Sequence, residues 1–170
     1  MLERAIVKIG HLLALSFGEA GSKIIADNLN DGDLNPMMAG IRCHAIFLYN
    51  DIKNFISTTE CLQEKVFIFA NSVSEICHSC VDKFGGSANR NVGDAYLCVW
   101  KFKDDRDFKP GKEVKQYARL NTNQADLSIF SVIKIISKIN KYTHMLEYRN
   151  NELLNQRMPG YQVKLGFGLH

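Results

Sequence analysis

The stretch GGSANRNVGDAYLCVW, from Gly85 to Trp100, constrains this chain more than any other. Two runs of strand length, near Ser87–Asn91 and Ala95–Lys101, flank a Gly93–Asp94 pair. Glycine takes the backbone angles a tight reversal needs, and aspartate bonds its own turn, so the segment reads as a β-hairpin. Strands are poor in aspartate. An acid at this tip carries chemistry only if the fold brings a second one beside it.

The flanking patterns supply the rest of the fold. CHAIFLYN (Cys43–Asn50) is a short apolar run bounded by turn formers, which suits a buried central strand. Ser57 followed by Glu60 has the spacing of a capping box, predicting a helix that starts there. Its apolar positions Val66, Phe69, Val73, Ile76 and Cys80 lead to Phe84, and Gly85–Gly86 stops it. After the hairpin, Lys101–Gln124 is polar and mixed in charge, the pattern of an exposed insertion. Ala125–Leu154 predicts a long helix with an apolar face of Leu127, Phe130, Ile133, Ile136, Ile139 and Leu146. Tyr161–His170 closes as a strand.

The order is βαββαβ, an α+β ferredoxin-like fold with an antiparallel sheet and both helices on one face. Residues 41–170 form this domain. Residues 1–40 are expected to precede it as an amphipathic N-terminal helix and a loop, with Ile6, Ile9, Leu13, Phe17, Ile24 and Ile25 at near-helical spacing and a bend at Gly18 and Gly21. In the βαββαβ topology the first and third strands are neighbours, which sets Asp51 beside Asp94. Two adjacent carboxylates repel unless they share a proton or a cation. Mg²⁺ suits them, because it takes carboxylate oxygens and keeps positions for phosphate. The helix start just after Asp51 adds free N–H groups that favour an anion. Acids plus a helix start point to a nucleoside triphosphate with metal, though no glycine-rich P-loop accompanies them.

Composition narrows the class. At 46% hydrophobic and 23% charged, 170 residues make one globular domain. The net charge of +3 is spread without a basic stripe, so no nucleic-acid partner is expected. Five cysteines lack framework spacing and no signal peptide is evident, which implies reduced thiols and a cytoplasmic chain. CHSC at Cys77–Cys80 has no second ligand pair, and buried thiols explain it better than a metal. AIVKIGHLLALSF is too short and too interrupted to cross a bilayer, so no membrane span is expected. Tethering to a membrane or a larger assembly, such as a ciliary one, through a partner or parent chain stays open. His44 and His78 read as packed polar groups, Trp100 and Phe102 as core, and Lys101, Lys103, Lys109 and Lys112 as a solvated face.

FLYNDIKNF followed by GGSANRNVGDAYLCVW resembles the class III nucleotidyl cyclases, the adenylyl and guanylyl cyclase catalytic domains. Their strings take the form F-x-D-I-x-x-F-T and G-G-x-x-x-K-x-x-G-D. VKLGFGLH resembles a later family strand, and KIGHLLALSFGEAG with ADLSIFSVIKIISKINKY looks like a protist subgroup. The resemblance implies that Asp51, Asp94 and the Ile52 carbonyl hold two Mg²⁺ or Mn²⁺ ions. It implies that Lys53, Asn54, Phe55, Ile56 and Ser57 cradle a triphosphate. The implied reaction is attack of the ribose 3′ oxygen on the α-phosphorus, giving a 3′,5′-cyclic nucleotide and pyrophosphate for signalling. The family's site lies between two cyclase domains, so a homo- or heterodimer partner is implied.

Three departures refine the expectation. Asn54 stands where the family has glycine, and Ile56 where it has threonine. Arg90 stands at a purine-selecting position; it only donates, which favours ATP over GTP. The sequence ends at His170 without a match to the later family segment bearing an asparagine and an arginine, which implies a domain truncated at its C-terminus. This chain alone is therefore expected to be inactive. The alternative reading is an inactive cyclase-like module serving as a dimerisation partner or structural component, and a nucleotide or metal sensor is a third.

Overall fold

The computed structural model describes residues 43–102 and 114–170, together with Lys8, Ile9 and Asn28, each helical. The expected N-terminal helix and residues 103–113 of the insertion, including Lys103, Lys109 and Lys112, lie outside the described residues. The chain divides into two compact units, residues 1–43 and 44–170.

The second unit is built on strands β1 (Ala45–Ile52), β2 (Ser87–Val92), β3 (Ala95–Lys101) and β4 (Leu165–Leu169). They form one antiparallel sheet in the order β2-β3-β1-β4, the ferredoxin-like arrangement. The helices are α1 (Phe55–Leu62), α2 (Val66–Lys83), α3 (Val114–Lys141), α4 (Thr143–Glu147) and α5 (Glu152–Arg157). Among the described residues no helix is long and apolar enough to cross a membrane.

Alternation along β1 decides which sheet face is covered. Leu48, Asn50 and Ile52 are buried, whereas Phe47 and Tyr49 are about half exposed. The buried set joins Tyr96, Cys98 and Trp100 of β3 against Phe69, Val73, Ile76, Cys77, Cys80 and Val81 of α2 and Ile135 and Ile139 of α3. Both long helices thus cover one face, and the other face carries Phe47, Tyr49 and Asp51.

Gly86 shows how tightly that core closes. A Cβ there would lie 2.5 Å from Trp100 Cε2 and 2.8 Å from both Cζ2 and Nε1. The indole, fully buried, also donates from Nε1 to the Phe84 carbonyl at 3.0 Å. This second glycine of the pair exists for close approach, while Gly85, at φ 73°, turns the chain.

Three expectations change. The helix expected to run unbroken from Ser57 to Phe84 is split, because Gln63 adopts φ 50° and a 3₁₀ turn (Gln63–Lys65) separates α1 from α2. The later helix begins at Val114 rather than Ala125 and ends at Lys141, with α4 and α5 completing the span. Its buried stripe also differs: Ser128, Ser131, Ile135 and Ile139 face the core, while Phe130, Ile133 and Ile136 are exposed by 56%, 56% and 44%. Apolar residues occur on more than one side of α3, and small serines pack where larger ones were expected. Ser128 stays satisfied by donating to the Ala125 carbonyl at 2.7 Å.

Candidate functional site

Residues directly opposite one another in a sheet share a face, so the register places the site residues. Asp51 pairs with Ala95 on β3 and with Gly166 on β4, and Ala95 pairs with Val92. The row across the open face is therefore Val92, Ala95, Asp51, Gly166. Small residues flank the carboxylate on both sides. The adjoining row is Arg90, Leu97, Tyr49, Gly168.

Asp94 closes the β2–β3 turn after Gly93, whose φ of 61° fits a primed turn. The Asp94 carbonyl accepts the Ile52 N–H at 3.1 Å, which fixes the hairpin tip against the end of β1. The Ile52 side chain is buried. Beyond it, the Lys53 N–H donates to the Lys164 carbonyl at 2.9 Å, while Lys53 Nζ lies 3.0 Å from Asp51 Oδ2.

Asn54 then takes the left-handed conformation, φ 57° and ψ 31°, and α1 begins at Phe55. Asparagine tolerates this geometry better than other non-glycine residues, so it fills the role expected of glycine. The expected capping box is absent: Ser57 is the third residue of α1, and Glu60 pairs with Arg157 at 3.3 Å instead. The left-handed turn starts the helix three residues earlier than the Ser-x-x-Glu pattern indicates. No side chain caps α1, so the N–H groups of its first turn keep their donor capacity. Thr58, fully buried, donates to the Asn54 carbonyl at 3.0 Å and shares a 3.1 Å hydrogen bond with the Tyr161 hydroxyl. That bond seats α1 on the segment leading to β4.

These elements line an open cavity of about 360 Å³, bordered by Asp51, Ile52, Lys53, Asn54, Phe55, Ile56, Ser57 and Asp94. The metal-site and phosphate-site residues expected from the sequence thus share one cavity. Arg90 does not line it; it is exposed on β2, one row away. Sequence reasoning gave no role to the Lys53–Asp51 pair or to Gly166. The alternating glycines of LGFGL, both on one strand face, were the available signal.

Other candidates are chemically quiet. Burial pushes the Cys77 thiol up to about 12 and that of Cys98 to about 11, so both stay protonated and unreactive near neutrality. Asn50 Nδ2 donates to Cys77 Sγ at 3.3 Å. His78 packs edge-on to Tyr96 at 5.6 Å, and burial lowers its pKa. Among the described residues no cluster of three or more His, Cys, Asp or Glu forms a metal cage.

Residues 1–30 match the family described as the RasGEFs all helical domain. No curated protein matches. Two solved structures of bacterial light-regulated adenylyl cyclases are similar. One has a TM-score of 0.53 and 23% identity over 75% of this chain and 52% of its own. The other has a TM-score of 0.61 and 20% identity over 99% of this chain and 40% of its own. The chain spans about half or less of the length of these proteins. At such identities the likeness is one of fold: residues 44–170 have a cyclase-like fold.

Proposed function

We propose that this chain carries a class III nucleotidyl cyclase domain, binding a nucleoside triphosphate with divalent metal and forming a 3′,5′-cyclic nucleotide and pyrophosphate. One observation carries the reading: Asp51, Asp94 and the uncapped first turn of α1 line a single cavity. The donor set fits Mg²⁺ or Mn²⁺. Two carboxylates without a protein cage match an ion that takes one or two acids and completes its shell with water and phosphate. Bound there, two such ions would activate the ribose 3′ hydroxyl and neutralise the departing phosphates.

The chain's own groups do the positioning. Asp51 and Asp94 would hold the ions from one end of the sheet, together with the Ile52 main chain. The free N–H groups of the first turn of α1 meet the phosphates, where a helix start favours negative charge. Thr58 and Tyr161 keep that turn in register with β4. Arg90, on the same sheet face, donates to the base and favours ATP over GTP. Among the described residues Lys53 is the one cationic side chain lining the cavity, so a second cyclase domain is needed to complete the charge around the α-phosphate.

The test is equilibrium binding of a non-hydrolysable ATP analogue with Mn²⁺, followed by cyclic-nucleotide assays with and without a complete cyclase domain. Metal-dependent binding should vanish in Asp51→Ala and Asp94→Ala while the circular dichroism stays unchanged. Turnover should appear only with the partner, and GTP should compete less well than ATP. Nucleotide binding that ignores both acids would overturn the assignment.

A further inference from the structure

Lys53 stands in an odd place for a residue of a metal site. Its ammonium lies 3.0 Å from Asp51 Oδ2, against the carboxylate that would take a divalent ion. The pair sits above Gly166. A Cβ there would lie 2.6 Å from Lys53 Nζ and 2.7 Å from its Cε, and would collide with Asp51 Oδ1. β4 therefore leaves, at the position opposite Asp51, the space the ion pair occupies.

Two features make the pair exchangeable. Side-chain exposure is 54% for Lys53 and 33% for Asp51, so water competes for both charges and the attraction is weak. The charges are also unequal. Asp51 and Asp94 carry two negative charges against one ammonium, whereas a divalent ion offsets both acids and leaves the lysine unpaired. Lys53 lines the same cavity as Asn54–Ser57, so its freed ammonium stays beside the α1 start.

We propose that Lys53 is a tethered counter-ion that alternates between two anions. Before metal arrives it holds the Asp51 carboxylate. It yields that carboxylate to the divalent ion and then pairs with the triphosphate. The inference rests on the cavity being a metal–triphosphate site. It assigns Lys53 a positioning role with opposite effects on the two ligands: it weakens metal binding and strengthens triphosphate binding.

The experiment uses the full 170-residue chain and two titrations, Mn²⁺ alone followed by electron paramagnetic resonance, and Mn²⁺ with a non-hydrolysable ATP analogue followed calorimetrically. Lys53→Met keeps the aliphatic stem and removes the charge. It should bind Mn²⁺ alone about three- to fivefold more tightly, the scale of a lost exposed ion pair. It should bind the metal–triphosphate several-fold more weakly, and Lys53→Arg should resemble the parent in both. A merely structural lysine would move both affinities in the same direction or neither. Unchanged or weaker Mn²⁺ binding by Lys53→Met, or undiminished triphosphate binding, would overturn the proposal while leaving the site intact. Asp51→Asn separates the two levels: Mn²⁺ binding indifferent to it would remove the site, and the proposal with it.

Discussion

Replacing Gly86 by alanine tests the packing behind the hairpin. The added methyl would meet three atoms of the Trp100 ring at 2.5–2.8 Å, roughly 1 Å inside ordinary contact. The ring cannot retreat cheaply, since it is fully buried and its Nε1 is bonded to the Phe84 carbonyl at 3.0 Å. Overpacking of a filled core costs about 1–3 kcal/mol, and disrupting the indole hydrogen bond adds about 1 kcal/mol. The expected destabilisation is therefore about 2–4 kcal/mol. Gly85→Ala is the matched control: its nearest neighbour would be Gln124 Oε1 at 3.8 Å, so only the strain of φ 73° remains, about 1–2 kcal/mol. Urea unfolding followed by the fluorescence of Trp100, the sole tryptophan, measures both. Trp100→Phe in the Gly86→Ala background should cost less than the sum of the single changes, read by circular dichroism. A Gly86→Ala variant within about 0.5 kcal/mol of the parent, or strict additivity of the pair, would refute the steric reasoning.

Asn54→Gly should leave stability within about 0.5 kcal/mol, whereas Asn54→Val should cost about 1–2 kcal/mol, because a β-branched residue resists φ 57°. Urea midpoints check this, and the valine variant should also weaken metal–triphosphate binding by displacing the start of α1. For His78, burial lowers the folded-state pKa below the ordinary histidine value of 6.5, so the unfolded chain binds more protons just below that pH. Stability should therefore fall as pH drops through 6.5 and level off below the folded pKa. Urea unfolding across that range should show a shallower fall for His78→Gln; identical slopes would remove His78 as the cause.

Much of this architecture was legible because local and global signals agreed. Gly93–Asp94 fixed the hairpin, and strand order alone placed Asp51 next to β3. The helix start near the site was misplaced because Ser57 and Glu60 carry a valid capping pattern that the structure does not use. The decisive feature is the left-handed turn of Asn54, which no periodicity reveals. Gln63 is similar: a left-handed glutamine has no sequence signature, so α1 and α2 read as one helix. On α3, isoleucines line several sides, and burial of Ser128 and Ser131 chose a frame that hydrophobicity did not favour. The Lys53–Asp51 pair over Gly166 was invisible for a further reason. It depends on the exact register between β1 and β4, which apolar alternation restricts only to one face.

That register also sets an order of assembly. β1 meets β3 across α1, α2 and the hairpin turn, but more than a hundred residues separate the end of β1 from β4. Closing so long a loop delays the pairing, since its entropy is lost before the contact forms. During synthesis the two acids can therefore be juxtaposed before β4 has paired with β1. A nascent chain would thus hold Asp51 and Asp94 together before Gly166 comes to lie opposite Asp51.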